Sequence, residues 1–316
     1  MSWKTACASL VVLAAATNAH AEAPRAGGQA PGWYRMMLGD FEITALSDGT
    51  IKLPVDKLLG NIAPDQVNAL LARSHLGTPL ETSVNGYLVN TGSKLVLIDA
   101  GAGRMFGPSL GRLIAHLKAS GYQPEQVDEV YITHMHGDHA GGLLASDGKP
   151  AFPNATVRAD AREGGHWLDK ARMEAAPAAA RNTYQGAMAA FGPYVAAGRY
   201  KTFDGATELL PGIRALPTYG HTPGHTVYAI ESQGHKMVVW GDLMHVAAVQ
   251  FAVPEATMQF DVDSKVAMPQ RQRAYADAAQ AGYYVAVAHV SFPGIGRLRA
   301  DGKGYQWLPA NYSAVP

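Results

Sequence analysis

The hydrophobic and polar positions of the chain follow two periodicities that alternate along its length. Short apolar or alternating runs bounded by Gly, Pro, Asn or Asp predict β-strands. These runs are residues 34–53, 85–101, 127–133, 212–218, 226–232, 236–242 and 283–289. Apolar residues at helical spacing, or an Ala-rich composition, predict helices. These segments are residues 64–74, 109–121, 160–200 and 264–281, with breaks expected at Pro177 and Gly192-Pro193.

Two of the strand segments are predicted to fold into hairpins. In residues 34–53 the sequence "SDGT" (47–50) predicts the turn, and in residues 85–101 the turn is expected at Thr91-Gly92-Ser93. Strands alternate with helices in both halves of the chain. The pattern predicts an α/β fold in a single domain, most simply two sheets covered by helices.

Composition supports a large core and excludes several classes of function. Of the 316 residues, 47% are hydrophobic and 16% are charged, which allows a sizeable core and argues against extensive disorder. The formal net charge is zero and there is no long run of like charges. We therefore expect no nucleic-acid partner.

The first 21 residues have the pattern of a signal peptide. Lys4 precedes an apolar stretch (6–16) that is too short to span a bilayer, and Ala19 and Ala21 fit a small-residue cleavage site. Cleavage after Ala21 would deliver the protein to the periplasm or outside the cell, without a membrane anchor. The alternative is a buried N-terminal helix. Residues 22–33 are Pro/Gly-rich and predict a flexible arm, followed by the folded domain at 34–316.

The only cysteine, Cys7, lies within the predicted signal peptide. The mature protein would have no thiol, so any metal ion must be bound by histidine and carboxylate side chains.

Potential metal ligands are concentrated in "YITHMHGDHAGG" (131–142). In an extended segment alternate residues point the same way, so His134 and His136 can bind one ion together. A turn at Gly137 then allows Asp138 and His139 to face a second ion. The alternative is a polar loop in which these residues have no common role.

Three further segments end an apolar strand with a histidine or an aspartate. They are "TYGHTPGHT" (218–226) with His225, "VVWGDLMH" (238–245) with Asp242, and "VAVAHVSFPG" (285–294) with His289. Alone, Asp242 or His289 would usually be a structural residue. Together with the histidine cluster, these side chains predict a metal site at the ends of the strands.

The order H-x-H-x-D-H, GHTPGH, strand-ending GD and late histidine resembles the metallo-β-lactamase superfamily, from about residue 34 onward. The resemblance implies that residues 34–316 form a hydrolase domain, a four-layer αβ/βα sandwich with two metal ions at one edge. It implies His134, His136 and His225 as ligands of the first ion, Asp138, His139 and His289 as ligands of the second, and Asp242 as a bridge. His221 is expected to orient a neighbouring ligand through a hydrogen bond, or to have a structural role in the turn.

Imidazole and carboxylate ligands without thiolates favour two divalent ions, with Zn²⁺ as first choice and Mn, Fe or Co open on ligand type. Two ions roughly 3.5–4 Å apart can share a hydroxide whose pKa falls towards ~7. The resemblance implies that Asp138 orients this nucleophile or transfers a proton. Asp138 and Asp242 are therefore the predicted catalytic residues.

The aspartate at position 242 narrows the choice of enzyme class within the superfamily. The β-lactamases proper have cysteine or serine there, whereas an aspartate resembles lactonases, thioesterases, phosphodiesterases and organophosphate hydrolases. The sequences at 31–49, 105–111, 245–255 and 260–263 are similar to an exported branch that includes methyl parathion hydrolase and lactonase/arylesterase enzymes. Gly137 departs from the parathion hydrolases, in which we expect proline.

We therefore expect an exported hydrolase of lactones or aryl esters, with phosphotriesters as promiscuous substrates. The alternatives are a dedicated organophosphate hydrolase, a β-lactamase, or a metal-binding protein without catalytic activity. Relatives in the branch suggest a homodimer. Apolar or aromatic side chains near the motifs are candidates for the substrate pocket, with an ordinary core role as the alternative: Phe106, Trp167, His245, Phe251 and Met258.

Overall fold

The structure is a computed structural model that describes residue 1 and residues 23–314. Apart from Met1, the predicted signal peptide lies outside the described residues. Residues 23–30 are exposed and contain neither helix nor strand, and residues from Pro31 onward belong to one compact unit. Among the described residues, no helix combines the length and the hydrophobicity needed to cross a membrane.

The strands build two large sheets and one small one. The strands are β1 (Trp33–Leu38), β2 (Phe41–Leu53), β3 (Leu59–Gly60), β4 (Leu80–Asn90), β5 (Leu95–Ile98), β6 (Glu129–Tyr131), β7 (Thr156–Asp160), β8 (Tyr200–Phe203), β9 (Thr207–Leu210), β10 (Ile213–Pro217), β11 (Thr226–Ser232), β12 (His235–Val239), β13 (Thr257–Met258), β14 (Tyr284–Ala286), β15 (Ile295–Asp301) and β16 (Gly304–Pro309). The first sheet has the order β1-β2-β4-β5-β6-β7-β8 and the second β16-β15-β14-β12-β11-β10-β9, while β13 pairs with β3.

The helices lie mainly between strands. They are α1 (Val55–Leu58), α2 (Pro64–Arg73), α3 (Leu113–Ala119), α4 (Gly137–Ala140), α5 (Ala161–Trp167), α6 (Lys170–Ala175), α7 (Ala178–Ala196), α8 (Ala247–Gln250) and α9 (Ser264–Ala281). Short 3-10 helices occur at Pro124–Gln126, Gly141–Leu143 and Gly241–Leu243.

Strand β5 illustrates why the central strands are continuous apolar runs. Leu95 and Leu97 pack in the hydrophobic cluster that contains α3 and α7. Val96 and Ile98 pack in the cluster between the two sheets. Because side chains alternate along a strand, a strand that is covered on both faces has no polar face.

The two sheets face each other, and helices cover their outer sides. Residues such as Ile43 and Tyr228 fill the core between the sheets. Phe191 of α7 packs on the first sheet, and Tyr275 of α9 packs on the second. This arrangement of helices, sheet, sheet and helix is the four-layer αβ/βα sandwich that the sequence predicted.

The turn predicted at "SDGT" is wrong. The chain turns at Gly39-Asp40, and β2 continues through residues 47–50 with an irregular register between Ser47 and Gly49. Asp48 does not make a turn because its buried carboxylate accepts hydrogen bonds from three main-chain N–H groups, at 2.9–3.0 Å. It thereby anchors the loop of residues 101–113 beside the histidine motif.

The helix break predicted at Gly192-Pro193 is also wrong, whereas Pro177 does separate α6 from α7. Helix α7 continues through Pro193 to Ala196. The ring of Pro193 removes one hydrogen bond near the helix end, but Phe191 and Tyr194 are fully buried on the first sheet and keep the last turn in place.

Candidate metal centre

The ends of strands from both sheets deliver the potential ligands to one place. The motif of residues 134–139 follows β6 of the first sheet. In the second sheet His221 lies between β10 and β11, Asp242 follows β12, and His289 follows β14. A rigid scaffold thus holds donor side chains on loops that have little freedom of their own.

One group of donors consists of His134, His136, His221 and Asp242. Nε2 of His221 lies 3.2 Å from Nε2 of His134 and 3.2 Å from Nδ1 of His136. Oδ2 of Asp242 lies 3.2 Å from Nε2 of His221. These atoms surround a space in which one cation could contact all four side chains.

A second group consists of Asp138, His139 and His289. Oδ2 of Asp138 lies 3.6 Å from Nε2 of His139 and 3.5 Å from Nε2 of His289. Oδ1 of Asp242 lies 3.1 Å from each of these imidazole nitrogens. The carboxylate of Asp242 therefore stands between the groups, with one oxygen directed at each.

The structure places His225 outside the groups of potential metal donors. Its Nε2 accepts a hydrogen bond from the main-chain N–H of Asp242 at 3.0 Å, and its Nδ1 contacts the hydroxyl of Thr218 at 2.8 Å. Both ring nitrogens are thus engaged, and His221 occupies the place expected for His225. The two histidines are four residues apart in a Gly/Pro turn, so their spacing does not reveal which ring faces the cluster.

The donor atoms fit the two divalent ions that the sequence predicted. Within the described residues, Nε2 of His139 and Oδ1 of Asp242 are buried and lack a hydrogen-bond partner. A buried polar atom without a partner is costly, and a cation between these atoms would satisfy both. Imidazole and carboxylate donors without thiolate suit zinc and other first-row divalent ions.

Asp99 is a residue of the centre that the sequence analysis missed. Its carboxylate accepts hydrogen bonds from the N–H and the hydroxyl of Thr133, and contacts Nδ1 of His139, each at 2.8 Å. The Thr133 hydroxyl also lies 3.0 Å from Nδ1 of His134. Asp99 therefore orients one imidazole directly and supports a second. The signal was present, since Asp99 ends an apolar strand as Asp242 does.

Other imidazoles are also fixed through the nitrogen that faces away from the centre. Nδ1 of His221 contacts Oδ1 of Asp261 at 2.9 Å, and Nδ1 of His289 contacts the carbonyl oxygen of Ser83 at 2.9 Å. Such contacts set the ring orientation and the tautomer, so that Nε2 presents its lone pair to a metal ion.

Glu163 connects the two loops that carry the first group. Its buried carboxylate accepts hydrogen bonds from the N–H groups of Met135 and Gly224 and from the hydroxyl of Thr222, at 2.7–2.9 Å. Met135 lies between two histidines of the cluster, and Thr222 follows His221. This single side chain therefore holds the two loops together, and the sequence analysis did not identify it.

Neighbouring imidazoles and carboxylates shift one another's pKa values in the metal-free centre. Burial opposes ionisation of Asp242, but the surrounding imidazoles outweigh burial and hold its pKa well below the usual range. Burial favours neutral His221, yet its hydrogen bonds to Asp242 and Asp261 raise its pKa to about 9. Burial lowers the pKa of His136 to about 3. The carboxylates therefore remain ionised and attract positive charge.

The residues proposed for a substrate pocket divide into two sets. Trp167 is buried with its ring 5.5 Å from that of His136, Phe106 is 46% exposed, and His245 contacts Asp242. In contrast, Phe251 packs against Tyr275 and Trp307, and Met258 lies in a hydrophobic cluster around α2. We assign Phe251 and Met258 to the core, because their side chains are held by apolar neighbours.

Phe106 is close to the metal motif because residue 137 is glycine. A Cβ atom at Gly137 would lie 3.0 Å from the Phe106 ring and 3.0 Å from Sδ of Met105. The loop of residues 101–112 therefore packs directly against the motif, beside the partly exposed Asp138.

Comparison with known proteins places the chain in a single family. The sequence profile of the metallo-beta-lactamase superfamily matches residues 80–281. N-acyl homoserine lactonases from Bacillus sp and Bacillus cereus are 31% identical over 122 residues and 30% identical over 128 residues. These matches cover 39% and 40% of this chain and 40% and 42% of the relatives. The chain thus spans about 40% of the length of the curated relatives it matches.

Solved structures match over almost the whole chain. The hydrolase AbOPH of the beta lactamase superfamily is 39% identical, with a TM-score of 0.86, over 91% of this chain and 100% of that one. AidC, a dizinc quorum-quenching lactonase, is 24% identical, with a TM-score of 0.83, over 90% of this chain and 99% of its own. The comparison with AidC shows a shared fold only.

Proposed function

The chain belongs to the metallo-beta-lactamase superfamily, and on this basis we propose that it is a dinuclear metal-dependent hydrolase that opens lactones and cleaves aryl esters. His134, His136 and His221 would hold one ion, and Asp138, His139 and His289 would hold the other. The observation that carries the proposal is the position of Asp242. Its two carboxylate oxygens face the two groups separately, as a bridging ligand requires.

Asp138 is the side chain of the centre best placed to handle a proton. Its carboxylate is 22% exposed, whereas the side chains of its neighbours His139 and His289 are almost fully buried. The carboxylate oxygen of Asp138 that does not bind the ion can accept the proton of an attacking water and orient that water towards the substrate. When bound, two divalent ions would lower the pKa of water and polarise the scissile carbonyl.

Two observations favour lactones and aryl esters among the possible substrates. The curated relatives are N-acyl homoserine lactonases, although they match over less than half of their length. Phe106 offers exposed apolar surface beside Gly137, where an acyl chain or an aryl ring could pack, and the buried ring of Trp167 lies against His136. Phosphotriester hydrolysis is proposed as a side activity, since both reactions develop negative charge on an oxygen of the reacting group.

The proposal is tested by kcat/KM of the metal-reconstituted protein for dihydrocoumarin, N-acyl homoserine lactones, methyl paraoxon and nitrocefin. We expect turnover of the lactones and aryl esters to exceed that of methyl paraoxon. A preference of several orders of magnitude for methyl paraoxon would instead identify an organophosphate hydrolase. Efficient nitrocefin turnover would identify a β-lactamase, and two bound ions without turnover of any substrate would identify a binding protein.

The variant Asp242→Asn should abolish turnover and reduce the metal content. The matched control is Asp147→Asn, because Asp147 is an exposed surface residue whose carboxylate pairs only with Lys149 among the described side chains. Asp147→Asn should leave both the metal content and turnover unchanged.

We also propose that the protein is exported after cleavage of residues 1–21. Lys4, the apolar stretch 6–16 and the small residues Ala19 and Ala21 support this proposal. The test is the N-terminal sequence and the cellular fraction of protein expressed from its full reading frame. A mature N-terminus at Glu22 in the periplasm or medium is expected, whereas uncleaved protein in the cytoplasm contradicts export.

A further inference from the structure

His245 lies within the metal centre although the seven ligands expected from the sequence do not include it. Its side chain is 2% exposed, and Nε2 lies 3.0 Å from Oδ2 of Asp242. In the part of the chain that the structure describes, neither ring nitrogen of His245 has a hydrogen-bond partner. His245 also forms a third group of potential metal donors with Asp242 and His289.

The ring of His245 is held in this position from several sides. It stacks on the ring of His289, with 5.1 Å between centroids and 14° between planes, and the ring of Phe260 lies 5.7 Å away. The main-chain N–H of His245 donates to Oε1 of Gln250 at 2.8 Å. Gln250 is itself fully buried and donates to the carbonyl oxygen of Ala256 at 3.1 Å. These contacts therefore fix the orientation of Nε2 of His245.

A buried imidazole without partners has an energetic cost that needs an explanation. A hydrogen bond from Nε2 to Asp242 would satisfy one nitrogen, but the contact lacks hydrogen-bond geometry. A cation beside Asp242 would use the lone pair of Nε2 directly, and imidazole is a common metal ligand.

We propose that His245 is an additional metal-binding residue, whose Nε2 binds the second ion together with Asp242 and His289. This inference rests on the dinuclear centre proposed above, and it adds an eighth side chain to that centre. His245 would then share this ion with Asp242 and His289, with its Nε2 beside Oδ2 of the carboxylate.

The test compares His245→Phe and His245→Gln with the parent protein. Phenylalanine keeps the ring and its stacking on His289 but has no donor atom. Glutamine keeps an N–H group that can donate to Asp242, while its amide is a weak ligand for zinc. His235→Gln is the control, because His235 is exposed at the start of β12.

Metal affinity is measured by titration against a competing chelator, and coordination by the visible spectrum of the Co²⁺-loaded protein. We expect both His245 variants to bind the first ion normally and to bind the second at least about tenfold more weakly. The Co²⁺ spectrum should change for the second equivalent only. The control should match the parent protein in both measurements.

Three results would overturn the inference. Parental affinity in both His245 variants would exclude a metal-binding role, and parental affinity in His245→Gln alone would identify a hydrogen-bond donor to Asp242. These two results leave the proposed hydrolase intact, since the parent protein still binds two ions. Fewer than two ions in the parent protein would overturn both proposals. Circular dichroism of the metal-free variants establishes that each one is folded.

Discussion

The main-chain N–H of Asp242 donates a hydrogen bond of 3.0 Å to Nε2 of His225. His225 is fully buried, and its other nitrogen contacts Thr218. Gly241 has a φ of 54°, and a Cβ there would lie 2.8 Å from Oγ1 of Thr133 and 3.0 Å from Nε2 of His225. We infer that His225 is a positioning residue, because it fixes the main chain that carries the carboxylate of Asp242.

His221→Ala and His225→Ala should consequently have different effects. His221→Ala removes a donor and should weaken binding of the first ion at least about tenfold. His225→Ala keeps the donors but leaves the buried N–H of Asp242 unpaired, which should cost about 1–3 kcal/mol in the free energy of unfolding. Metal titration and urea denaturation of the metal-free proteins measure the two effects. If His225→Ala loses an ion as completely as His221→Ala, the assignment is wrong.

Asp99→Asn should mainly weaken binding of the second ion, and Asp261→Asn should weaken binding of the first. Asp99 orients His139 of the second group, and Asp261 orients His221 of the first. Replacing either carboxylate removes the charge that fixes the ring, and such changes typically cost about 10–100-fold in metal affinity. The affinities are measured by chelator competition.

Double variants with His139→Ala test which ion each carboxylate supports. Asp99→Asn should add little to the loss caused by His139→Ala, because both act on the same ligand. Asp261→Asn should add its full loss of metal affinity to that of His139→Ala. Equal additivity in both double variants would contradict the division of the centre into two groups.

Metal binding should release protons at neutral pH. The pKa of His221 is about 9 in the metal-free protein, and those of His139 and His289 are also raised by neighbouring carboxylates against the effect of burial. At about pH 7.5 the ring of His221 carries a proton that a cation must displace, so at least one proton should leave, and the raised pKa values of His139 and His289 favour further release. The affinity should therefore increase as the pH rises to about 9.

Calorimetric titrations in two buffers of different ionisation enthalpy measure this release directly. The observed heat of binding should differ between the buffers in proportion to the number of protons. Identical heats would show that the histidines are neutral before the metal binds.

Glu163→Ala should destabilise the protein and the first group together. The substitution leaves three buried donors without an acceptor, which should lower the free energy of unfolding by roughly 3 kcal/mol or more. Glu174→Ala is the control, since Glu174 is an exposed residue of α6. Urea denaturation measures both variants. A loss below about 1 kcal/mol would mean that other contacts hold the two loops together.

The architecture could be predicted from the sequence because its signals are local. Alternating or continuous apolar runs predicted most of the central strands but not β7–β9, β15 or β16, and α9 begins and ends at the predicted residues, Ser264 and Ala281. The turn at "SDGT" was misplaced because Asp48 uses its carboxylate for distant main-chain groups. The local composition of a turn contains no information about such contacts.

In the metal centre, too, local sequence predicted some residues, whereas tertiary contacts decided others. The cluster at 134–139 follows from residue types and spacing, and the structure brings it to Asp242 and His289. Which of His221 and His225 faces the donor cluster depends on which ring accepts the hydrogen bond from the main-chain N–H of Asp242. Tertiary contacts decide this. Glu163 could not be found from the sequence, because a carboxylate that binds main-chain N–H groups has no motif.

The donors are divided between the two sheets in an order that matters during synthesis of the chain. His134, His136, Asp138 and His139 follow β6, whereas His221, Asp242 and His289 belong to the second sheet, nearer the C-terminus. During synthesis, the set of donor side chains is therefore incomplete until the C-terminal strands have been made. We therefore expect cation binding to follow synthesis of the C-terminal strands, so that the metals present where the chain finishes folding influence which ions it binds.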